Sequence, residues 1–156
     1  MTITVIGTPG PQGSKRYLGV RGGRGILVES SAKVKPWREA VKWAVRDKAM
    51  ADYEAAIGHP PSNLLSAGIH IAGAVWVSMT FTLPRPSSAK KGSLPSKRPD
   101  LSKLVRATED ALTDSGIWDD DSRVVECFAA KRYPEEGRDS LDVPGCVIRI
   151  EAIHDR

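Results

Sequence analysis

Residues 98–124 read RPDLSKLVRATEDALTDSGIWDDDSRV, a stretch with aspartates on both sides of a helical pattern. Its apolar side chains recur at helical spacing, at Leu101, Leu104, Val105, Thr108 and Leu112. The spacing predicts a helix over residues 101–115, which Gly116 is suited to end. Asp100 precedes this helix, and Asp119, Asp120 and Asp121 follow the turn after it. Because gathered carboxylates repel unless a cation lies between them, the pattern predicts a site for Mg²⁺ or Mn²⁺.

The segments around this stretch predict further strands and one more helix. Upstream we expect a strand over residues 2–6, a loop over 7–16, a hairpin over 17–29, a helix over 35–56 and a linker over 59–66. Residues 69–83 form the strongest strand pattern, and strands over 124–130 and 146–153 follow. This order predicts an α+β fold, in which helices pack against a single mixed β-sheet and residues 1–156 form one domain.

Amino-acid composition and charge limit the kinds of protein that this chain could be. The chain has 156 residues, is 40% hydrophobic, and carries 23 Lys and Arg against 19 Asp and Glu, a net charge of +4. The modest positive charge is compatible with a nucleic-acid partner. The chain contains neither an apolar run of transmembrane length nor a leader pattern, so we expect a soluble, cytoplasmic protein with no membrane partner. Cys127 and Cys146 lack metal-type spacing and are predicted to be reduced core residues.

Basic side chains concentrate in segments that we expect to expose them. Residues 84–99 predict a flexible basic loop, which is either a solvated connector or an arm on a phosphate backbone. The candidate DNA-binding residues are Lys15, Arg16, Lys90, Lys91, Lys97, Arg98 and Lys103, with Arg21 and Arg24 in the hairpin turn.

Tryptophans and histidines are not expected to take part in the chemistry. Trp37 and Trp118 fit core positions. His59, His70 and His154 lie in the linker, at a strand start and in the tail, so no histidine is expected near the aspartates.

The quoted 27 residues resemble the core of the RusA-type Holliday junction resolvases. That family combines an R-x-D-L-D-N/K-L-x-K/R stretch, an alanine-rich helix ending in D-A-L, and a G-x-W/Y-x-D-D turn. The loop PGPQGSKR at residues 9–16, the hairpin and the element order support the resemblance. It implies a homodimeric endonuclease of DNA recombination and repair, often carried by phages. Such an enzyme binds branched double-stranded DNA and cuts two opposing strands of a four-way junction with Mg²⁺ or Mn²⁺.

The resemblance also implies roles for individual residues. Asp100 takes the place of the family's first metal-binding aspartate, and Asp121, with Asp120 beside it, takes the place of the aspartate that closes the D-D pair. Arg106 stands where the family has a catalytic Lys or Arg. Positive charge there would stabilise the transition state, while the metal activates water and neutralises the phosphate oxygens.

One position departs from the family pattern, because Ser102 replaces the second aspartate of D-L-D. The protein could be inactive, Ser102 or a water could complete the metal shell, or another acid could replace the missing one. Glu109 lies two turns along the same helix stripe and is the best replacement, although a rise of roughly 10 Å separates the two positions. As a solvated residue it would instead pair with Arg106 or Lys103. Two other functions stay open: a nuclease-inactive module that binds branched DNA, and a metal-dependent phosphohydrolase of small phosphates.

Overall fold

The structure is a computed structural model that describes residues 1–13, 15–21, 24–29, 32–62, 67 and 70–154, and for residues 15–29 it describes the backbone alone. The elements, in chain order, are β1 (Thr2–Ile6), β2 (Lys15–Arg21), β3 (Arg24–Glu29), α1 (Val34–Ile57), β4 (Ala74–Thr82), α2 (Leu101–Ser115), β5 (Val124–Arg132) and β6 (Gly145–Ile153). A short 3-10 helix, Asp121–Arg123, precedes β5. The predicted α+β fold and both predicted helices are confirmed.

Four strands form one mixed sheet in the order β1-β6-β4-β5. Strands β4 and β5 are parallel, whereas β6 is antiparallel to both β1 and β4. The hairpin β2-β3 is a separate two-stranded sheet. Helix α2 connects the two parallel strands, because parallel neighbours need a crossover. The segments that precede β4 and β5 therefore meet at one end of the sheet, and those that follow them meet at the other.

The helices cover one face of this sheet. Alternate β4 side chains, Val75, Val77, Met79 and Phe81, are fully buried there, as their spacing predicts. Trp37 of α1 is buried against them, and its Nε1 donates to Thr108 Oγ1 of α2 at 3.0 Å. A buried indole N–H needs such an acceptor, so this bond fixes the two helices relative to each other. The core positions predicted for Trp37 and Trp118 are confirmed.

Two predictions at the sheet's margin are wrong. Strand β4 begins at Ala74 and not at residue 69, because residues 70–73 bend toward the turn after α2, where Ile71 N donates to Ile117 O at 2.8 Å. Cys127 is exposed, whereas Cys146 is buried as expected. The reason is the position of β5 at the edge of the sheet, which sequence patterning does not reveal. Val125 and Phe128 beside it are 59% and 55% exposed.

Neither described helix has an apolar stretch long enough to cross a membrane.

Candidate functional site

Asp100 occupies the N-terminal end of helix α2. Its backbone is extended, with φ −68° and ψ 134°, and its carboxylate makes no capping hydrogen bond to the helix. The side chain is 53% exposed, and Lys103 Nζ lies 3.7 Å from Oδ2. An aspartate at this position usually bonds the free N–H groups of the first turn. Here the carboxylate remains available for a ligand.

A lysine that sequence reasoning missed supports this end of α2. Lys131, near the end of β5, donates from Nζ to the carbonyl oxygens of Lys97 and Pro99, both at 2.9 Å. The contact follows from the parallel pairing, which brings the end of β5 beside the segment that follows β4. The chain that leads into Asp100 is therefore attached to the sheet.

The predicted DNA-binding residues divide into described and undescribed groups. Exposed basic side chains in residues 84–103 lie at Lys90, Lys91, Lys97, Arg98 and Lys103. The side chains of Lys15, Arg16, Arg21 and Arg24 lie outside the described residues. Arg85 differs from the rest of its loop. Arg85 forms an ion pair with Glu136, and its guanidinium lies over the Tyr133 ring at 4.7 Å. It also donates a hydrogen bond to Lys90 O. Arg85 therefore attaches the loop to the segment that follows β5.

The turn after α2 positions the aspartate run. Gly116 adopts φ 83°, a left-handed conformation that glycine enters without strain, and ends the helix as predicted. Trp118 is buried and donates from Nε1 to Thr113 Oγ1 at 2.8 Å. Asp120 Oδ1 accepts from Ser122 N at 2.9 Å, and its hydrogen bonds with Ser122 hold the pKa of Asp120 below its ordinary value. The Asp120 carboxylate thus stabilises the turn by a hydrogen bond within it.

Glu109 of α2 and Asp121 of the following turn lie close enough for their charges to interact. Burial raises the pKa of the half-buried Glu109 above its ordinary value, and the negative charges of Asp121 and then Asp110 raise it further. Burial also raises the pKa of Cys127, with a contribution from the charge of Glu109. A carboxylate beside a second carboxylate and partly out of water is destabilised, and a cation bound between them would relieve that cost.

Asp100 is not part of this pair. Glu109 is nine positions further along the chain, a rise of about 13 Å along the helix. Across the described part of the chain, no three His, Cys, Asp or Glu side chains are grouped closely enough to hold a metal ion. The charges of Glu109 and Asp121 therefore interact, while Asp100 lies at the basic end of the helix. Metal binding by these residues stays a prediction.

Arg106 and Ser102 lie on the exposed surface of α2, between its two ends. Arg106 is one turn from Ser102 and, in the other direction, one turn from Glu109, so all three share the stripe predicted from the sequence. Arg106 and Glu109 therefore lie on the same side of the helix.

The expectation that no histidine lies near the aspartates is wrong. His70 Nε2 lies 3.0 Å from Asp119 Oδ1, and Arg123 lies 3.9 Å from the other oxygen of Asp119. His70 precedes β4 and Asp119 precedes β5, so the parallel pairing puts them at the same sheet end. The two residues are 49 positions apart, and only the pairing of β4 with β5 could have predicted the contact.

Comparisons with known proteins agree with this architecture. A family model described as "Endodeoxyribonuclease RusA" matches residues 7–143, which include α2, the turn and the basic loop. The chain is also similar to YqaN of Bacillus subtilis (strain 168), described as uncharacterized, at 29% identity over 141 residues. That alignment covers 87% of this chain and 89% of the relative.

Proposed function

Since this chain belongs to the RusA family of endodeoxyribonucleases, we propose that it is a metal-dependent enzyme that resolves four-way DNA junctions by paired cleavage. The family acts on branched DNA and hydrolyses its phosphodiester bonds. One observation supports the proposal for this chain: the charge of Asp121 acts on the half-buried Glu109 of α2, and exposed basic side chains surround the start of the same helix. Acidic and basic groups are thus arranged to hold a cation and a phosphate backbone.

The carboxylates of Glu109 and Asp121 fit a hard divalent cation. Mg²⁺ and Mn²⁺ prefer oxygen ligands, and the raised pKa of Glu109 reflects negative charge that a cation would neutralise. When bound, the cation would lower the pKa of a water molecule and neutralise phosphate oxygens. Asp120 supports Asp121 indirectly by fixing the turn, and metal binding by Asp100 stays a prediction.

The chain's own side chains would bind and orient the DNA. Lys97, Arg98 and Lys103 offer positive charge at the start of α2, where helix N–H groups also favour anions. Arg106 would contact the phosphate beside the acidic pair, because a guanidinium holds two oxygens in fixed geometry and stays protonated. This contact would oppose the negative charge that builds up as water attacks phosphorus and the sugar oxygen leaves.

A second copy of the chain is the partner that the exposed edge strand fits. Among the described residues, strand β5 has β4 as its one neighbour in the sheet, so its outer edge presents backbone groups beside exposed Val125 and Phe128. Such an edge invites pairing with another strand. Two-fold pairing there would bring two active sites to one junction, which paired cleavage requires.

Sedimentation should give a dimer, and Phe128→Ser should weaken it by at least about tenfold, since an apolar anchor contributes about 2 kcal/mol.

A synthetic four-way junction incubated with Mg²⁺, Mn²⁺ or EDTA tests the activity. Symmetric nicks in opposing strands with either metal, and intact DNA with EDTA, are expected. Tight binding without nicks in any metal would instead identify a nuclease-inactive module, the outcome that Ser102 in place of the family aspartate would explain. Absence of both binding and nicks would leave hydrolysis of small phosphates as the function.

The Glu109→Gln variant tests the replacement of the missing aspartate. We expect loss of cutting, unchanged junction binding in EDTA, and weaker Mn²⁺ binding measured by electron paramagnetic resonance. Glu151→Gln is the matched control, because Glu151 is exposed on β6. Full cutting by Glu109→Gln would show that Glu109 does not supply the carboxylate.

A further inference from the structure

A cleft at the basic end of α2 lies behind the side chains proposed above to bind the DNA backbone. It has a volume of about 670 Å³ and lies where the loop after β1, the loop after β4 and the start of α2 meet. The first loop is fixed there by the bond from Gln12 N to Lys103 O, at 2.9 Å. This volume is in the range of sites that hold small organic molecules, about 300 to 1,000 Å³.

One side of the cleft is apolar and rigid. Leu83 and Tyr133 are 5% and 7% exposed, and prolines supply much of the remaining wall, among them the buried Pro9 and Pro95. Because proline has a fixed φ, this wall requires little ordering when a ligand enters. A flat apolar group could lie against it without rearrangement of the backbone.

The rim of the same cleft is cationic. Lys33, Lys97, Arg98 and Lys103 line it together with a single carboxylate, Asp100. A ligand with a negatively charged group at the rim and a flat apolar group inside would match both surfaces. A nucleotide unit has this construction.

Gln12 adds a polar group that lacks a partner. Its Oε1 is buried, and no residue that the structure describes donates a hydrogen bond to it. Buried amide oxygens are nearly always bonded. Turning this amide toward a ligand would break no existing bond of that oxygen and could make one with an N–H group of a base edge.

We propose that this cleft accepts one unstacked nucleotide of a DNA strand, with its phosphate on the lysines of the rim, its base against the proline wall and Gln12 contacting the base edge. The inference rests on the proposed action on branched DNA and adds a local base preference to it. A base stacked inside a duplex cannot enter a cleft of this size, so the nucleotide must leave the stack. Branch points interrupt stacking, and they would supply such a nucleotide at the lowest cost.

Junctions that carry 2-aminopurine at single positions around the branch point test this proposal, since the fluorescence of this base rises when it leaves the stack. EDTA prevents cutting, and anisotropy in the same sample reports binding. We expect at least a threefold rise in fluorescence at one position near the branch.

Pro86→Trp, which places a large side chain at the cleft, should abolish the rise, whereas Pro60→Trp, at an exposed proline outside the cleft, should keep it. Gln12→Leu should keep binding within about twofold and reduce the preference among bases.

The outcomes separate this inference from the proposed function. Junction binding without a fluorescence rise at any position would overturn the nucleotide site alone. Absence of junction binding would overturn both proposals. Free deoxynucleoside monophosphates provide a further comparison: if they bind in a manner sensitive to Pro86→Trp while the junction gives no rise, the cleft is a site for free nucleotides and the proposal for a DNA strand is wrong.

Discussion

The first turn of helix α2 carries a lysine and its last turn an aspartate, the reverse of the charges that would best stabilise a helix. Asp100 is at the N-cap, but the first turn has no acidic residue and contains Lys103. The last turn has no basic residue, and Asp114 and the aspartates after Gly116 surround it. The helix dipole favours anions at the first end and cations at the second. Asp100 at the N-cap and Arg38 of α1, which pairs with Asp114, offset these charges only in part, because Lys103 and the aspartates after Gly116 remain.

Helix α2 therefore has one end suited to binding an anion and one end suited to binding a cation. The basic end is suited to phosphate, because lysines and free N–H groups act together there. The acidic end is suited to a cation, because Glu109 and Asp121 already repel each other. Local departures from stabilising patterns are expected at functional sites. Four substitutions, at Asp121, Thr108, Lys103 and Glu109, test this division of the helix.

Asp121→Asn should have the largest effect, because it removes a charge at the acidic end. We expect cleavage to fall at least about a hundredfold, since metal-assisted charge stabilisation contributes several kcal/mol and 1.36 kcal/mol corresponds to tenfold in rate. Single-turnover cleavage of a junction measures the rate. Binding in EDTA should be kept, and Asp142→Asn, in an exposed loop, serves as the control. Cleavage within threefold of the unaltered protein would remove Asp121 from the chemistry.

Thr108→Val tests whether the helix holds the two ends in place. The change leaves the buried Trp37 Nε1–H without its acceptor, which should lower the free energy of unfolding by about 1 to 3 kcal/mol. Urea denaturation measures this difference, and Thr4→Val, at an exposed β1 position, should change it little. The cleavage rate per folded molecule should be unchanged at low temperature. An unchanged unfolding midpoint would show that the bond contributes nothing.

Lys103→Met should weaken the basic end and leave the acidic end intact. We expect junction affinity to fall a fewfold, and the slope of log affinity against log salt to decrease by about one, as for one lost phosphate contact. Fluorescence anisotropy at several salt concentrations provides both values. The control is Lys48→Met, because Lys48 pairs with Asp52 on α1. An unchanged slope would show that Lys103 makes no phosphate contact.

Glu109→Gln should change the pH dependence of stability by the smallest amount. Its pKa is raised in the folded protein, so this group favours folding below its ordinary pKa of 4.5 and loses that contribution as pH rises through the raised value. Without metal, the variant should therefore melt slightly higher than the unaltered protein at pH 7 and equally at pH 4. Thermal melts in EDTA measure the difference. A lower melting temperature at pH 7 would contradict the charge repulsion.

Sequence patterns predicted the elements well and the site only in part. Alternation in β4 and the 3.6-residue period of α2 are local properties, so these elements could be predicted from neighbouring residues. The contacts of His70 with Asp119 and of Lys131 with Pro99 join positions 49 and 32 residues apart, and no local pattern encodes them. Exposure of Cys127 was missed for a related reason, since strand order decides which strand lies at an edge.

The sequence by itself determined the helix, its glycine terminator, the acidic turn and the family, because these depend on residue types at fixed spacing. Tertiary structure alone decided which acids interact. Parallel pairing of β4 with β5 and the packing of α2 across them let the charge of Asp121 act on Glu109, and left Asp100 about 13 Å along the helix axis from Glu109. Side-chain distances of this kind depend on how separate elements pack, and residue spacing along the chain does not specify that packing.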